Sequence, residues 1–443
     1  MLGKSLFPYD PDIMEDLLKD KKIVVLVGSS AKQHYPMQFT YEGKPEPLQI
    51  EEMQRICILI SNGDCGSGFF TGVMDANTHV ISNEDKYFYY YSNLDFQKFH
   101  QVISDTEKRY TFNEVVSVLE SYISRVSMPM GEKSFRDYVV FFKENFSHIP
   151  SFNSADMWKA YFIAKYYFET GTWDTRYVPL VFWDIHNGRR ASYMNMLKEF
   201  AVQDFFAPVR HPVTKLVRSY DRRLFGKTSE NHYDDLRSRF VSGFNQEYSY
   251  PFAFEKKFFV AKFEDCKLRP KEMFQKICHR LCIPFQERML LAEAPESGNI
   301  HGEDIKGFDL LPLQRKIDHV FSSFDNLRLE MFYSQILEHY EYEYFNFNEH
   351  NLSDDDVKKL FSIPLRMEEF LFDQCYSNVK EDTEWTREFD YPCEERDRKM
   401  YFQNKGEIRA FLYDIMVNGY KISRYGTIRF PYFVRSDIKV RGE

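Results

Sequence analysis

Three places in this sequence combine residue types that could handle an anion or move a proton. The first is Ser61-Asn62-Gly63-Asp64-Cys65-Gly66-Ser67-Gly68, small and glycine-rich, preceded by the apolar run Ile56–Ile60 and followed by Phe69, Phe70, Val73 and Met74 at helical spacing. A strand, a glycine turn and a helix in that order aim backbone N–H groups and the positive end of a helix at one spot, which suits a phosphate or sulfate. Glycine allows the tight turn and the close approach, and Ser67 can add a hydroxyl donor or a helix cap. No Gly-Lys-Ser/Thr follows, so this is not a Walker A loop, and an ordinary strand-to-helix turn has the same outline. The second place is Arg210, which ends the apolar run Phe205–Val209 and precedes a helix carrying Arg218 and Ser219. An arginine at a strand end and a group one or two helical turns later can grip one phosphate from two sides. The third is His186, after the apolar stretch Val178–Ile185 and beside Asp184, Arg189 and Arg190. A histidine there can take a proton from a hydroxyl, although a lone histidine is also commonly structural.

The elements that must position these groups are legible as runs and periods. The 443 residues allow one large α/β domain with additions, or two domains, and 43% hydrophobic and 17% aromatic residues imply a sizeable core. Lys22–Ser30 reads as a buried strand ending in a small-residue turn, after a short amphipathic helix over residues 1 to about 20. Residues 86–175 are aromatic-rich and helical by period, a helical cap over the sheet. Phe258–Asp265 reads as a strand followed by Phe-Glu-Asp, Lys271–Leu281 as a helix, and 351–443 as a helical C-terminal extension that packs on the core or mediates self-association. The segments are therefore 1–50, strand-containing; 51–350, the α/β domain; and 351–443, the extension.

A net charge of −9 argues against a general nucleic-acid binder. No run has the length of a signal peptide or a membrane span. Seven cysteines, an odd number without metal-type spacing, suggest reduced thiols in a cytoplasmic protein and no metal centre. Cys278 and Cys282, four apart on a helix, read as small core residues.

The stretch Cys65–Val80 resembles the 5′-phosphosulfate loop of sulfotransferases, with Cys65-Gly66-Ser67-Gly68 on Ser-Gly-Thr-Thr and Met74-Asp75-Ala76-Asn77-Thr78-His79-Val80 on Leu-Asp-Ala-His-Pro-x-Val. Asp64 stands where that family carries a basic residue. Val209-Arg210-His211-Pro212, then Leu216-Val217-Arg218-Ser219-Tyr220, is similar to the 3′-phosphate motif of the carbohydrate-modifying members, with Arg218 at the family's serine position and Ser219 one residue late. Phe263-Glu264-Asp265 and Ile283-Pro284 match a further stretch that braces the sheet. Ser297–Asp309, with Lys306 and Gly307, resembles the segment that closes over the nucleotide.

The resemblance spans roughly residues 52–345. It implies a P-loop-like central parallel sheet flanked by helices and transfer of a sulfuryl group from 3′-phosphoadenosine 5′-phosphosulfate, without a metal, to a hydroxyl of an acceptor, a glycan being favoured. The implied nucleotide-binding residues are Gly63, Asp64, Cys65, Gly66, Ser67, Gly68, Phe69, Arg210, Arg218, Ser219, Lys306 and Gly307, with His186 as the base. The alternative is a binding protein of the same fold that does not turn over.

Overall fold

The computed structural model describes residues 23–26, 38–41, 48–60, 65–83, 109–123, 134–170, 179–185, 198–224, 257–292, 307–313, 318–343, 352–368, 405–425 and 432–436. The expected helix over residues 1–20 falls outside them. In chain order the elements are β1 (Ile23–Leu26), β2 (Gln38–Tyr41), β3 (Arg55–Ile60), α1 (Ser67–Asp75), β4 (Val80–Asn83), β5 (Tyr110–Thr111), α2 (Phe112–Tyr122), α3 (Phe135–Asn145), β6 (Ser151–Phe152), α4 (Ser154–Thr170), β7 (Leu180–Ile185), β8 (Val202–Val209), α5 (Pro212–Leu224), β9 (Lys257–Lys262), α6 (Phe263–Leu268), α7 (Pro270–Arg280), α8 (Ser323–Phe332), α9 (Ser334–His339), α10 (Asp354–Ser362), α11 (Lys405–Tyr425) and β10 (Tyr432–Val434).

Six strands form the central sheet in the order β10-β9-β8-β3-β7-β4, all parallel. Its strands are apolar on consecutive positions because both faces are covered. Ile56, Ile58 and Ile60 of β3, with Phe205 and Ala207 of β8, enter one core, shared with Phe142 of α3, Trp158 of α4, Val217 of α5, Leu329 of α8 and Tyr420 of α11. Cys57 and Leu59, with Phe206 and Phe259, enter the other, against Phe70 of α1, Phe263 of α6 and Phe274 of α7. The cap helices thus build one of the two layers on the sheet, with α4 packed against β4.

The structure adds detail to the sequence reading at three elements. β1 is a strand, but it pairs antiparallel with β2 in a separate two-stranded sheet. The strand that leads into Phe263-Glu264-Asp265 ends at Lys262, and Phe263–Leu268 forms α6. The C-terminal extension is helical in α10 and α11 but also supplies β10, which adds to β9 at the sheet edge with Phe433 opposite Val260. Three residues are too few for a period to show; the pairing comes from Phe433 and Val434, one entering each core.

The order of the strands locates a ligand site in advance of any side chain. From β3 the chain leaves through α1 toward β4 on one side, and from β8 through α5 toward β9 on the other. The connections therefore diverge between β3 and β8. Crevices at the carboxyl ends of strands, where such a divergence occurs, are where open α/β sheets bind ligands.

Candidate functional site

At the carboxyl end of β3 the described chain resumes at Cys65. Gly66 takes the left-handed conformation, φ 91°, and α1 begins at Ser67. Helices α2, α3, α8 and α10 each close their first turn with a capping box, Thr111/Glu114, Ser134/Asp137, Ser322/Asp325 and Ser353/Asp356. Like α6, α7 and α9, α1 has no side-chain cap, and it opens on Gly66. Its first-turn N–H groups point along the helix axis without that competition, as an anion site requires. Gly66 is needed for a second reason: a Cβ there would lie 2.4 Å from Phe263 Cδ2. Phe263 in turn fixes the loop, standing edge-on to Phe69 at 5.6 Å.

Arg210 follows β8 on the other side of the divergence and is 3% exposed. Its guanidinium lies over the Phe263 ring, 4.7 Å from the centroid, and Nη2 donates to the Pro312 carbonyl at 2.9 Å. One ring thus seats both the glycine turn and the arginine. Glu264, next in the chain, accepts the His211 N–H at 2.9 Å through Oε1 and the Tyr342 hydroxyl at 2.9 Å through Oε2. Burial pushes its carboxyl above the usual range, opposed by the Arg210 charge and by these donors. His211 packs edge-on against Tyr342 with ring centroids 5.1 Å apart. Its Nδ1 is out of solvent and has no hydrogen-bond partner. Burial, with the neighbouring Arg210 charge, lowers its pKa to about 4, so the ring is neutral near pH 7.

Residues 307–313 lie across both parts. Gly307 is left-handed, φ 48°, and its carbonyl accepts from Nζ of the 2%-exposed Lys267. Phe308 stands edge-on to Phe69 at 5.3 Å, and Pro312 holds Arg210 as above.

Of the expected site residues, Cys65, Gly66, Ser67, Gly68, Phe69, Arg210 and Gly307 are brought to this one end of the sheet. Cys65 and Ser67 are buried there. Arg218 sits two turns along α5 and is 4% exposed; the backbone of Ser219 follows it in the same helix. Gly63, Asp64, His186, Arg189, Arg190 and Lys306 lie outside the described residues; β7 carries the chain as far as Ile185, through Asp184. Sequence reasoning passed over Phe263, His211, Lys267, Tyr342 and Pro312 as contributors. Phe263 and Glu264 had a signal: they follow a third strand end, β9, beside β8 in a parallel sheet. Among the described residues no group of His, Cys, Asp or Glu could hold a metal ion, and no helix is long and apolar enough to cross a membrane.

No family model matches the sequence, and no curated protein matches it. Among solved structures, the chain is similar to the sulfotransferase domain from the Synechococcus PCC 7002 olefin synthase, with TM-score 0.39 and 12% identity over 69% of this chain and all of that one. It is also similar to the sulfotransferase domain from the curacin biosynthetic pathway, with TM-score 0.36 and 15% identity over 67% of this chain and 99% of that one.

Proposed function

We propose that this chain is a sulfotransferase that uses 3′-phosphoadenosine 5′-phosphosulfate to sulfate a hydroxyl, with a glycan as the favoured acceptor class. The observation that carries the reading is a convergence. Three stretches that resemble the family's nucleotide-binding motifs, more than 80 residues apart in sequence, meet at the carboxyl end of one parallel sheet: Cys65–Phe69, Arg210 and 307–309, the last continuing to Pro312 on Arg210. The residues fit such a donor. An uncapped helix start and a turn tight enough to need Gly66 suit the phosphosulfate end. A buried arginine suits the 3′-phosphate, because a fixed fork on a dry site binds a dianion strongly.

The nucleotide supplies the sulfuryl group and a good leaving group. What the chain's own residues contribute is positioning and charge. The α1 N–H groups and Ser67 hold the end that carries negative charge, Arg210 holds the other, and Phe69 and Phe263 keep water from between them. His186, which follows the last residue of β7, is our candidate for the group that takes the proton from the acceptor hydroxyl.

Titration calorimetry with adenosine 3′,5′-bisphosphate and, separately, with ATP tests the reading. Tight binding of the bisphosphate alone is expected; preference for ATP, or no binding of either, overturns it. With an acceptor in hand, His186→Ala should lower turnover about a hundredfold or more while nucleotide affinity holds. Near wild-type turnover would move the base to Asp184 or Glu264.

A further inference from the structure

Lys267 is a buried cation that the nucleotide-binding scheme above does not use. It is 2% exposed on α6, with its ammonium 4.3 Å from the Phe69 centroid and 5.3 Å from the Phe263 centroid. It donates to the Gly307 carbonyl. Asp265, two residues earlier on α6, pairs with Arg269 at 2.7 Å and with Lys262 at 3.4 Å. A methionine would fill the same space between the rings without the cost of burying an ammonium. What a methionine could not do is hold a carbonyl.

That carbonyl begins the 307–313 strap. Lys267 grips its first residue, Phe308 wedges against Phe69 and against Phe274 at 6.0 Å, and Arg210 grips Pro312 near its end. The Leu313 N–H bonds the Leu310 carbonyl at 2.8 Å, which makes the far end a closed turn. The strap is therefore held by two buried cations, and one of them, Arg210, is the residue to which the proposed function gives the 3′-phosphate. A phosphate on Arg210 competes with the Pro312 carbonyl for the same guanidinium. When that grip is shared, Lys267 is the fixed point that keeps the strap in place.

We infer that Lys267 is a positioning residue: by holding the Gly307 carbonyl against Phe69 it keeps the 307–313 strap over the anion site and slows departure of a bound nucleotide. The inference rests on the proposed function, and it predicts an effect on one rate only. Lys267→Met keeps the ring packing and removes the hydrogen bond. Dissociation of adenosine 3′,5′-bisphosphate, followed by stopped flow, should become about tenfold faster, as expected for loss of one charge-assisted bond. Association should stay within about twofold of wild type. Hydrogen exchange at the amides of 308–311 should accelerate without any nucleotide. Lys267→Arg, which can still donate to the carbonyl, should recover part of the slow release.

An unchanged dissociation rate in Lys267→Met, or a loss confined to association, overturns the role. If that variant does not fold, Phe308→Ala loosens the strap from the Phe69 side and carries the same expectation and the same refutation. Failure of the wild-type protein to bind the bisphosphate overturns the reading of the site, and this role with it. Binding in the wild type with unaltered release in both variants overturns this role alone.

Discussion

The two ends of the central sheet carry the same pair of residue types, a buried arginine close to a neutral histidine, and put them to different uses. At the amino end Arg55 opens β3 and is 5% exposed. Its Nη2 donates to the carbonyls of Leu281 and Cys282, at 2.6 and 3.2 Å, just past the end of α7. His79 lies before β4 with Gln286 Nε2 3.2 Å from its Nδ1, and Gln286 also donates to the Thr78 hydroxyl at 2.7 Å. Asn77 completes the brace, donating to the Pro284 carbonyl at 2.8 Å and accepting the His79 N–H at 2.9 Å. These contacts join β4 to the segment after α7, and they are all internal. At the carboxyl end Arg210 grips one carbonyl of a strap and a ring, and the His211 Nδ1 is left without a partner. The amino-end arginine ties two carbonyls at a helix end; the carboxyl-end arginine ties a strap to a ring beside a buried imidazole nitrogen that meets no donor or acceptor.

The contrast is broken most severely at Arg55. Arg55→Ala strips the donor from two carbonyls at a helix end and removes the cation that shares the Cys57 neighbourhood with buried Asp204. A loss of about 3 kcal/mol or more in stability is expected by chemical denaturation, with bisphosphate affinity of the folded protein unchanged. Altered affinity at normal stability would mean that the amino end is not purely a brace.

Arg210→Ala should do the opposite. Bisphosphate binding should weaken by about 2–3 kcal/mol in calorimetry, while stability falls by less than in Arg55→Ala. Arg210→Lys should lose most of the affinity as well, because an ammonium cannot reproduce the fork. A stability loss as large as that of Arg55→Ala, with affinity intact, would make both ends structural.

Among the described residues Gly66 has no glycine counterpart at the amino end. Gly66→Ala forces a side chain into the left-handed region, about 1–2 kcal/mol, and drives a methyl into Phe263. The Phe263→Leu background should relieve the clash and leave the backbone cost. If the double variant is no more stable than Gly66→Ala alone, Phe263 is not what requires the glycine.

How far the sequence carried this picture depends on the range of the interactions involved. β3, the glycine turn and α1 were legible because an apolar run, a glycine cluster and a helical period adjoin one another within Ile56–Met74. The same holds for β8, Arg210 and the proline-started α5. The end of β9 was legible through the Phe263-Glu264-Asp265 resemblance and not from pattern, because the single Lys262 between Ala261 and Phe263 does not mark where a strand becomes a helix. Phe263 is itself fully buried against α1, so its apolar character serves the helix contact and not the strand. β10 was invisible for want of length. The Arg210–Pro312 and Lys267–Gly307 contacts join residues 102 and 40 apart, and no local pattern announces them.

The last effect concerns the two histidines and distinguishes the ends by pH. Burial, with the nearby arginine charge, lowers both His79 and His211 to about 4, against an ordinary value of 6.5. As pH falls below about 6.5 the unfolded chain takes up protons at these positions that the folded protein refuses. Each histidine therefore contributes a loss of stability between about pH 6.5 and pH 4, and nothing further below that. His79→Gln and His211→Gln should each flatten the stability profile over this window by a similar amount, measured by denaturant melts at stepped pH. Saturating bisphosphate should then separate them. A dianion on Arg210 favours an imidazolium beside it, which moves the folded pKa of His211 back toward 6.5 and shrinks its share of the slope; His79, at the other end of the sheet, should keep its full share. If the ligand leaves the His211 share untouched while it binds, the dianion is not on Arg210, and the carboxyl end has been given the wrong half of the nucleotide.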